Sequence, residues 1–152
     1  FLIQQLPAFL QPYSADNTPR SLLDLGCGYG YLSCAASLHG FQQITATDNN
    51  AAALKACEEN FGALNINGSV ISGDAGSQIN AQFDTIICNP PFHQGFNIDS
   101  ALTEKFLNAS KRLLAPSGKL CDVVDVFMFC LGWISPTKTD RPSRWHQRTA
   151  LT

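Results

Sequence analysis

The stretch that decides the fold is S-L-L-D-L-G-C-G-Y-G, residues 21–30. Its first half is an apolar run with one acid, Asp24, and predicts a short buried strand. The second half predicts a glycine-rich loop and then a helix that runs to about Leu38. The loop glycines are Gly26, Gly28 and Gly30. Because glycine has no Cβ, such a loop lets the backbone approach a ligand closely.

Strands and helices alternate along the rest of the chain. Apolar and β-branched runs predict further strands at Ile44–Thr47, around Val70-Ile71, at Phe83–Cys88 and from Lys119 to about Val126. Helical spacing is found at Phe1–Leu10, Asn50–Phe61 and Ser100–Leu114. This alternation implies a mostly parallel sheet with right-handed crossovers. The predicted fold class is therefore α/β, with a sheet of about five strands.

Polar side chains lie at or near the ends of four successive predicted strands. Asp24 lies near the end of the first strand, and the next three strands end at Asp48, Asp74 and Asn89. In open parallel sheets, ligands bind outside the carboxyl ends of the strands. We therefore expect these four polar groups to converge on one edge of the sheet.

The fourth of these groups begins the tetrapeptide Asn89-Pro90-Pro91-Phe92. Two prolines cannot continue a strand, so the backbone must leave the sheet there. Asn89 and the carbonyl of Pro90 offer hydrogen-bond acceptors, and Phe92 adds an aromatic face. An enzyme that acts on an exocyclic or amide nitrogen needs this combination. The alternative is a purely structural turn between strand and helix.

The amino-acid composition limits the classes of protein to which this chain can belong. The chain has 152 residues, 45% hydrophobic and 14% charged, as expected for one globular domain. A net charge of −2 excludes an overall basic field that would attract phosphate backbones. Six cysteines without a C-x-x-C pair indicate reduced thiols in a cytoplasmic protein. The three histidines have no ligand spacing, so no structural metal is expected, and no apolar run is long enough for a membrane span.

The glycine spacing indicates a ligand without phosphate. It is G-x-G-x-G, whereas the dinucleotide fingerprint is G-x-G-x-x-G, and Asp24 would repel a phosphate. S-adenosylmethionine fits, because it has a sulfonium, a ribose and an adenine. Asp48 can accept from the ribose hydroxyls and Asp74 from the adenine amine. The alternatives are a helix cap at Asp48-Asn49-Asn50 and an ordinary turn at Gly73-Asp74.

Together these motifs resemble the class I S-adenosylmethionine-dependent methyltransferases. The resemblance rests on D-L-G-C-G-Y-G at 24–30, on Asp48, on Gly73-Asp74 and on N-P-P-F at 89–92. The longer string at 89–95, N-P-P-F-H-Q-G, is similar to the bacterial 16S and 23S ribosomal RNA guanine-N2 methyltransferases of the small-domain family. N-P-P-F alone is less specific, since protein-glutamine and DNA-adenine methyltransferases carry N-P-P-Y or D-P-P-Y.

The resemblance implies a Rossmann-like three-layer sandwich and a ribosomal RNA or ribosomal subunit as partner. The implied catalytic residues are Asn89, Pro90 and Phe92. The implied cofactor-binding residues are Asp24, Gly26, Gly28, Gly30, Asp48, Asp74 and Asn89. His93 either lines the base pocket or faces solvent, and Tyr29 either covers the cofactor or packs at the start of the helix.

The resemblance covers about Phe1 to Leu120 and departs from the family at both ends. The family implies a preceding related domain, and a further helix and a final β-hairpin after the fifth strand. We expect a partial catalytic domain at 1–131 without that hairpin, and an irregular tail at 132–152. The tail carries Lys138, Arg141, Arg144 and Arg148. One hypothesis is that 121–152 is out-of-frame translation.

Three other functions stay open on sequence alone. The first is methylation of a protein glutamine, against which Phe92 in place of tyrosine is mild counter-evidence. The second is a non-catalytic fragment that binds adenosine or RNA. A nicotinamide-dependent oxidoreductase comes last, because the glycine spacing disagrees with its fingerprint.

Overall fold

The structure, a computed structural model, describes residues 10–88, 93–94, 97–98, 100–124 and 127–131. Its helices are α1 (Tyr31–Leu38), α2 (Ala51–Ala63) and α3 (Ser100–Leu113). Its first four strands are β1 (Ser21–Leu25), β2 (Gln43–Asp48), β3 (Gly68–Ser72) and β4 (Phe83–Cys88). The later strands are β5 (His93–Gln94), β6 (Asn97–Ile98), β7 (Leu114–Val124) and β8 (Phe127–Leu131).

The main sheet has six strands in the order β3-β2-β1-β4-β7-β8. The first four pairings are parallel, and β8 pairs with β7 in the antiparallel direction. From β1 the chain moves outward to β2 and β3, and it then returns to place β4 on the other side of β1. The strand order thus reverses between β1 and β4, the point at which ligands bind in folds of this class.

The sheet has one hydrophobic core on each face, because alternate residues of a strand point to opposite sides. On one face, Leu22 and Ile44 belong to a cluster with residues of α1 and α2. On the other face, Leu23 and Ile86 belong to a cluster with Phe106 and other residues of α3. The result is a three-layer α/β sandwich with α1 and α2 opposite α3, as the resemblance implied.

Two sets of long-range polar contacts join elements of the fold. At the edge opposite the carboxyl ends, Asp84 accepts 2.9 Å hydrogen bonds from both the backbone N–H and the hydroxyl of Ser21, which joins β4 to β1. On the α3 side of the sheet, the Arg112 guanidinium donates to the carbonyls of Gly76 (2.9 Å) and Ile79 (2.6 Å). Arg112 therefore ties α3 to the loop that follows β3.

The sheet extends one strand beyond the predicted edge. Sequence reasoning ended it at a fifth strand without a hairpin, but β8 pairs with β7, and the two strands form an antiparallel pair. The run Phe-Met-Phe-Cys-Leu at 127–131 has the aromatic and apolar composition that favours strands. The strand with which β8 pairs could not be predicted from the sequence, because a strand's neighbour depends on tertiary structure.

The sequence Pro116-Ser117-Gly118 predicts a turn between α3 and the fifth strand, but these residues lie inside β7. The β4–β7 pairing shifts from Phe83 opposite Leu114 to Thr85 opposite Lys119, so the extra residues of β7 form an irregularity rather than a separate turn. Proline is compatible with such a position, because the local backbone leaves the regular ladder.

Several expectations fall outside the described residues. These are the helix at 1–9, the tetrapeptide 89–92 and the tail at 132–152. Among the residues that are described, no helix has the length and apolarity to cross a membrane. Within the same residues, no group of three or more His, Cys, Asp or Glu is placed to hold a metal ion.

Candidate functional site

A cleft of about 740 Å³ opens at the carboxyl edge of the sheet, beside the point where the strand order reverses. Its walls come from the loop after β1, the end of β2, the turn after β3 and one side of α3. The lining residues used below are Asp24, Gly26, Gly28, Asp48, Asp74 and Phe106. The three acids predicted to converge therefore lie on one cleft. Asn89, Pro90 and Phe92 lie outside the described residues.

Backbone hydrogen bonds join the glycine loop to the end of β2. The N–H groups of Gly26 and Cys27 both donate to the carbonyl of Thr47, at 2.9 and 3.0 Å. Gly28 has a φ of +54°, and a Cβ placed on it would meet nothing within 4 Å. The surface above Gly28 is therefore open, as close approach of a ligand to the backbone requires.

Gly30 has a different role from the other two glycines, since it is not among the residues that line the cleft. Its φ is +83°, and a Cβ there would lie 2.5 Å from the sulfur of Cys57 in α2. Only glycine permits both this backbone conformation and this close approach. Gly30 thus packs the loop and the start of α1 against α2.

Asp48 holds two backbone segments with its carboxylate. Oδ2 accepts from the N–H of Gly28 and Oδ1 from the N–H of Asn50, both at 2.9 Å. The helix cap of α2 is supplied by Asn50, whose side chain accepts from Ala52 and Ala53. The helix cap that the alternative interpretation placed at 48–50 is therefore present at Asn50, and Asp48 accepts from the backbone N–H of that residue. Each carboxylate oxygen can accept a second hydrogen bond, so the group can also bind a ligand.

Asp24 is a buried acid beneath the glycine loop, 1% exposed. Its Oδ2 accepts from the N–H of Ser33 at 3.0 Å and from the Ser33 hydroxyl at 2.7 Å. Burial raises the pKa of Asp24 from an ordinary 3.8 to about 6, the hydrogen bonds from Ser33 oppose that shift, and the charge of Asp48 adds to it. Ionised Asp24 therefore favours a positively charged neighbour.

We expect Asp24→Asn to change the pH dependence of stability. Between about pH 4 and pH 6 the folded chain keeps a proton on Asp24 that the unfolded chain has lost, so ionisation of this group destabilises the fold as pH rises. The free energy of unfolding of the variant relative to the wild type should thus increase across this window, by on the order of 3 kcal/mol. Urea unfolding at a series of pH values measures it.

Ser33→Ala provides the matched control for this prediction. Removing the hydroxyl takes away one hydrogen bond that lowers the pKa of Asp24, so the stability lost on ionisation should be larger and should extend to higher pH. A difference between Asp24→Asn and the wild type that is constant from pH 4 to pH 7 would contradict the raised pKa.

Asp74 begins the turn after β3 and is half exposed. Its Oδ2 forms an ion pair with the Lys105 ammonium of α3. Ala75, the next residue, adopts a left-handed conformation with φ +47°. The Gly73-Asp74 segment therefore forms the turn of the alternative interpretation. It connects the third strand to α3, and its carboxylate remains on the cleft.

One wall of the cleft was not predicted from sequence. Leu102 and Phe106 of α3 line it, and a Cβ on Gly26 would lie 3.0 Å from the Phe106 ring. Thr47 was also missed, although its carbonyl holds the loop. The spacing of Leu102 and Phe106, four residues apart, signalled an apolar face of α3. It did not indicate which loop that face would contact.

The charge of the cleft is negative. Three carboxylates line it, and no Lys, Arg or His is among its described lining residues. Lys105 reaches Asp74 from outside that set. Such a cleft disfavours phosphate and favours a cationic, polyhydroxylated ligand.

The end of β4 lies at the cleft edge of the sheet. Cys88, the last residue of β4, is opposite Leu25, the last residue of β1. β4 therefore ends beside the point where β1 leads into the glycine loop at Gly26.

Comparison with known proteins identifies relatives that share this architecture. A ribosomal RNA small subunit methyltransferase C of Buchnera aphidicola is 37% identical over 112 residues, which are 72% of this chain and 32% of the relative. The enzyme of the same name in Chromohalobacter salexigens is 31% identical over 133 residues, 88% of this chain and 38% of the relative. The chain thus spans about a third of these curated relatives.

A solved structure shares the fold with a TM-score of 0.69 and 26% identity, covering 83% of this chain and 34% of that one. It is a 16S rRNA N2 methyltransferase of T. thermophilus in complex with AdoMet and guanosine. A putative RNA methyltransferase of Pyrococcus horikoshii, 22% identical with a TM-score of 0.62, shows the same fold. These likenesses agree with the Rossmann-like class I methyltransferase fold expected from the motifs.

The model of one family, the methyltransferase small domain, matches residues 2–131. The match continues past Leu120, where the sequence resemblance was expected to end, and it takes in β7 and β8. The similarity to the family therefore extends to residue 131, eleven residues beyond the expected end. By this match the chain belongs to the methyltransferase small domain family.

Proposed function

We propose that the chain is the catalytic part of an S-adenosylmethionine-dependent methyltransferase that modifies the exocyclic N2 amine of a guanine in ribosomal RNA. The observation that carries the proposal is the convergence of Asp24, Asp48 and Asp74 on one cleft, beside the strand end from which Asn89 emerges. The curated relatives named above, each a ribosomal RNA methyltransferase, support the choice of substrate.

The residues of the cleft fit S-adenosylmethionine, which supplies an electrophilic methyl group on a positively charged sulfur. Asp48, with both oxygens already oriented by backbone N–H groups, would accept from the ribose hydroxyls. Asp74 would accept from the adenine amine. Asp24, ionised above about pH 6, would attract the cationic end through the loop that covers it. The open surface at Gly28 lets the backbone approach the ligand.

The tetrapeptide 89–92 would bind the target amine. We propose that the Asn89 side-chain oxygen and the Pro90 carbonyl accept the two hydrogens of that amine, which orients its lone pair and stabilises the positive charge that develops on nitrogen. Phe92 would stack on the guanine. The base would have to be unpaired or turned out of its stack to reach this position.

The proposal is tested in two steps with the 152-residue chain. Calorimetric titration with S-adenosylhomocysteine should give saturable binding, because the cleft holds the cofactor. Labelled S-adenosylmethionine should then transfer its methyl group to small ribosomal subunits or 16S rRNA, with N2-methylguanosine as the product. Release factor, the glutamine substrate, serves as the comparison. Cofactor binding without methyl transfer to any RNA would indicate that the chain is a non-catalytic, cofactor-binding fragment. Methyl transfer to release factor would identify a glutamine methyltransferase.

The boundaries of the active unit are also part of the proposal. We assign catalysis to residues 1–131 and no role to 132–152, since the family model ends at 131. A protein that modifies ribosomal RNA would work in the cytoplasm. Truncation after Leu131 should therefore leave the affinity for S-adenosylhomocysteine unchanged, as titration of the shortened chain would measure.

A further inference from the structure

Two tyrosines stand at the mouth of the cleft with their rings exposed to solvent. Four large hydrophobic residues are exposed on the part of the chain that the structure describes. They are Tyr29 (57%), Tyr31 (42%), Leu38 (80%) and Leu64 (49%). Of these, Tyr29 and Tyr31 line the cleft and the two leucines do not. The exposed aromatic surface is thus concentrated at the site.

The two rings form one patch on a well-held backbone. Their centroids are 6.1 Å apart and their planes are tilted by 54°. The carbonyl of Tyr29 accepts a 2.9 Å hydrogen bond from the Asn60 side chain of α2, and Tyr31 is the first residue of α1. Gly30 between them is packed against Cys57. The rings therefore project from a fixed platform, which lowers the entropy lost when a flat partner binds.

The charge around the patch decides what kind of contact RNA can make here. The cleft presents three carboxylates and no cation among its described lining residues, so phosphates are disfavoured at its mouth. Bases carry no such penalty, and each has a face that stacks on an aromatic ring. Stacking on tyrosine is also a common way in which proteins bind unpaired RNA bases.

We propose that Tyr29 and Tyr31 form a stacking platform for an unpaired nucleobase that flanks the methylated guanosine in the RNA substrate. The inference deepens the proposed function and rests on it for the identity of the RNA. The platform binds the strand through its bases and leaves the phosphates to point away from the acidic cleft. It also keeps the strand unstacked beside the site, where the target base must be accessible.

Substitution of the two rings tests the platform directly. The probe is a fluorescein-labelled single-stranded RNA of about 12 nucleotides, within the usual range of single-strand binding sites. Tyr29→Ala and Tyr31→Ala should each weaken its binding, measured by fluorescence anisotropy, by roughly fivefold or more. Tyr29→Phe and Tyr31→Phe should restore the wild-type affinity, because the ring and not the hydroxyl makes the contact. Leu38→Ala, on an exposed leucine outside the cleft, should leave it unchanged.

The affinity for S-adenosylhomocysteine, measured in the same variants, separates this role from the alternatives. Stacking of RNA predicts a loss of RNA affinity that exceeds any loss of cofactor affinity. A fall in cofactor affinity with unchanged RNA affinity would make Tyr29 a cofactor cover and overturn the proposal. Unchanged affinity for both would also overturn it.

These outcomes are distinct from failure of the proposed function. RNA binding is measured without methyl transfer, so a ring-dependent RNA affinity would stand even for a chain that transfers no methyl group. Conversely, methyl transfer that persists in both alanine variants with unchanged KM for RNA would retain the proposed function and remove the platform. A wild-type chain that does not bind the RNA probe contradicts the platform as well.

Discussion

Asn89→Ala should reduce methyl transfer by roughly a hundredfold or more while leaving the affinity for S-adenosylhomocysteine nearly unchanged. The expected loss is large because the side-chain oxygen is proposed to stabilise charge that develops only in the transition state. The proposal is supported by the end of β4, since Cys88, the residue before Asn89 in the chain, lies opposite Leu25 at the cleft edge of the sheet. Single-turnover transfer to ribosomal RNA and calorimetry on the same preparation measure the two quantities.

Asn80→Ala is the matched control for this variant. Asn80 is exposed in the loop before β4 and does not line the cleft, so its loss should change neither quantity. Full transfer activity in Asn89→Ala would remove Asn89 from the mechanism. A loss of cofactor affinity equal to the loss of activity would instead make Asn89 a cofactor-binding residue.

Asp48→Ala should lower the affinity for S-adenosylhomocysteine by about a hundredfold. The carboxylate is proposed to accept two hydrogen bonds from the ribose, and hydrogen bonds to a charged group contribute about 1.5–3 kcal/mol each. The substitution also removes the partner of the Gly28 N–H, so the loop that faces the ligand loses a support. Calorimetric titration at constant pH measures the change.

Asp48→Asn separates ligand binding from support of the loop. Its remaining oxygen can accept one hydrogen bond of the pair at Gly28 and Asn50, so an intermediate affinity is expected. Urea unfolding of both variants shows how far each loss reflects a weakened fold. An affinity near that of the wild type in a folded Asp48→Ala chain would contradict the role of Asp48 in binding the ribose.

The local sequence pattern was sufficient to predict most of the strands and helices in the described core of the fold. The predicted strand at 83–88 matches β4, and the predicted helix at 100–114 matches α3 to within one residue. Apolar periodicity and glycine positions determine such elements because they act over a few neighbouring residues. The ends at β7 and β8 differed from expectation, because strand pairing and the irregularity opposite Phe83 depend on distant residues.

The acids of the cleft were also predictable from sequence. Asp24, Asp48 and Asp74 each end a strand or lie near its end, and the parallel topology brings such ends to one edge. The side chains that form hydrogen bonds or ion pairs with these acids were not predictable. Ser33 beneath Asp24 and Lys105 at Asp74 come from helices whose orientation only packing sets.

The sequence by itself therefore determined which groups could act on a ligand and at which edge they would meet, since the positions of strand ends along the chain and side-chain chemistry are local properties. Tertiary structure decided the pKa of the buried acid and which residues form the walls of the cleft. The burial that raises the pKa of Asp24 and the wall formed by Phe106 both arise where elements distant in the chain pack together. Long-range packing is a property of the whole fold, and no local periodicity specifies it.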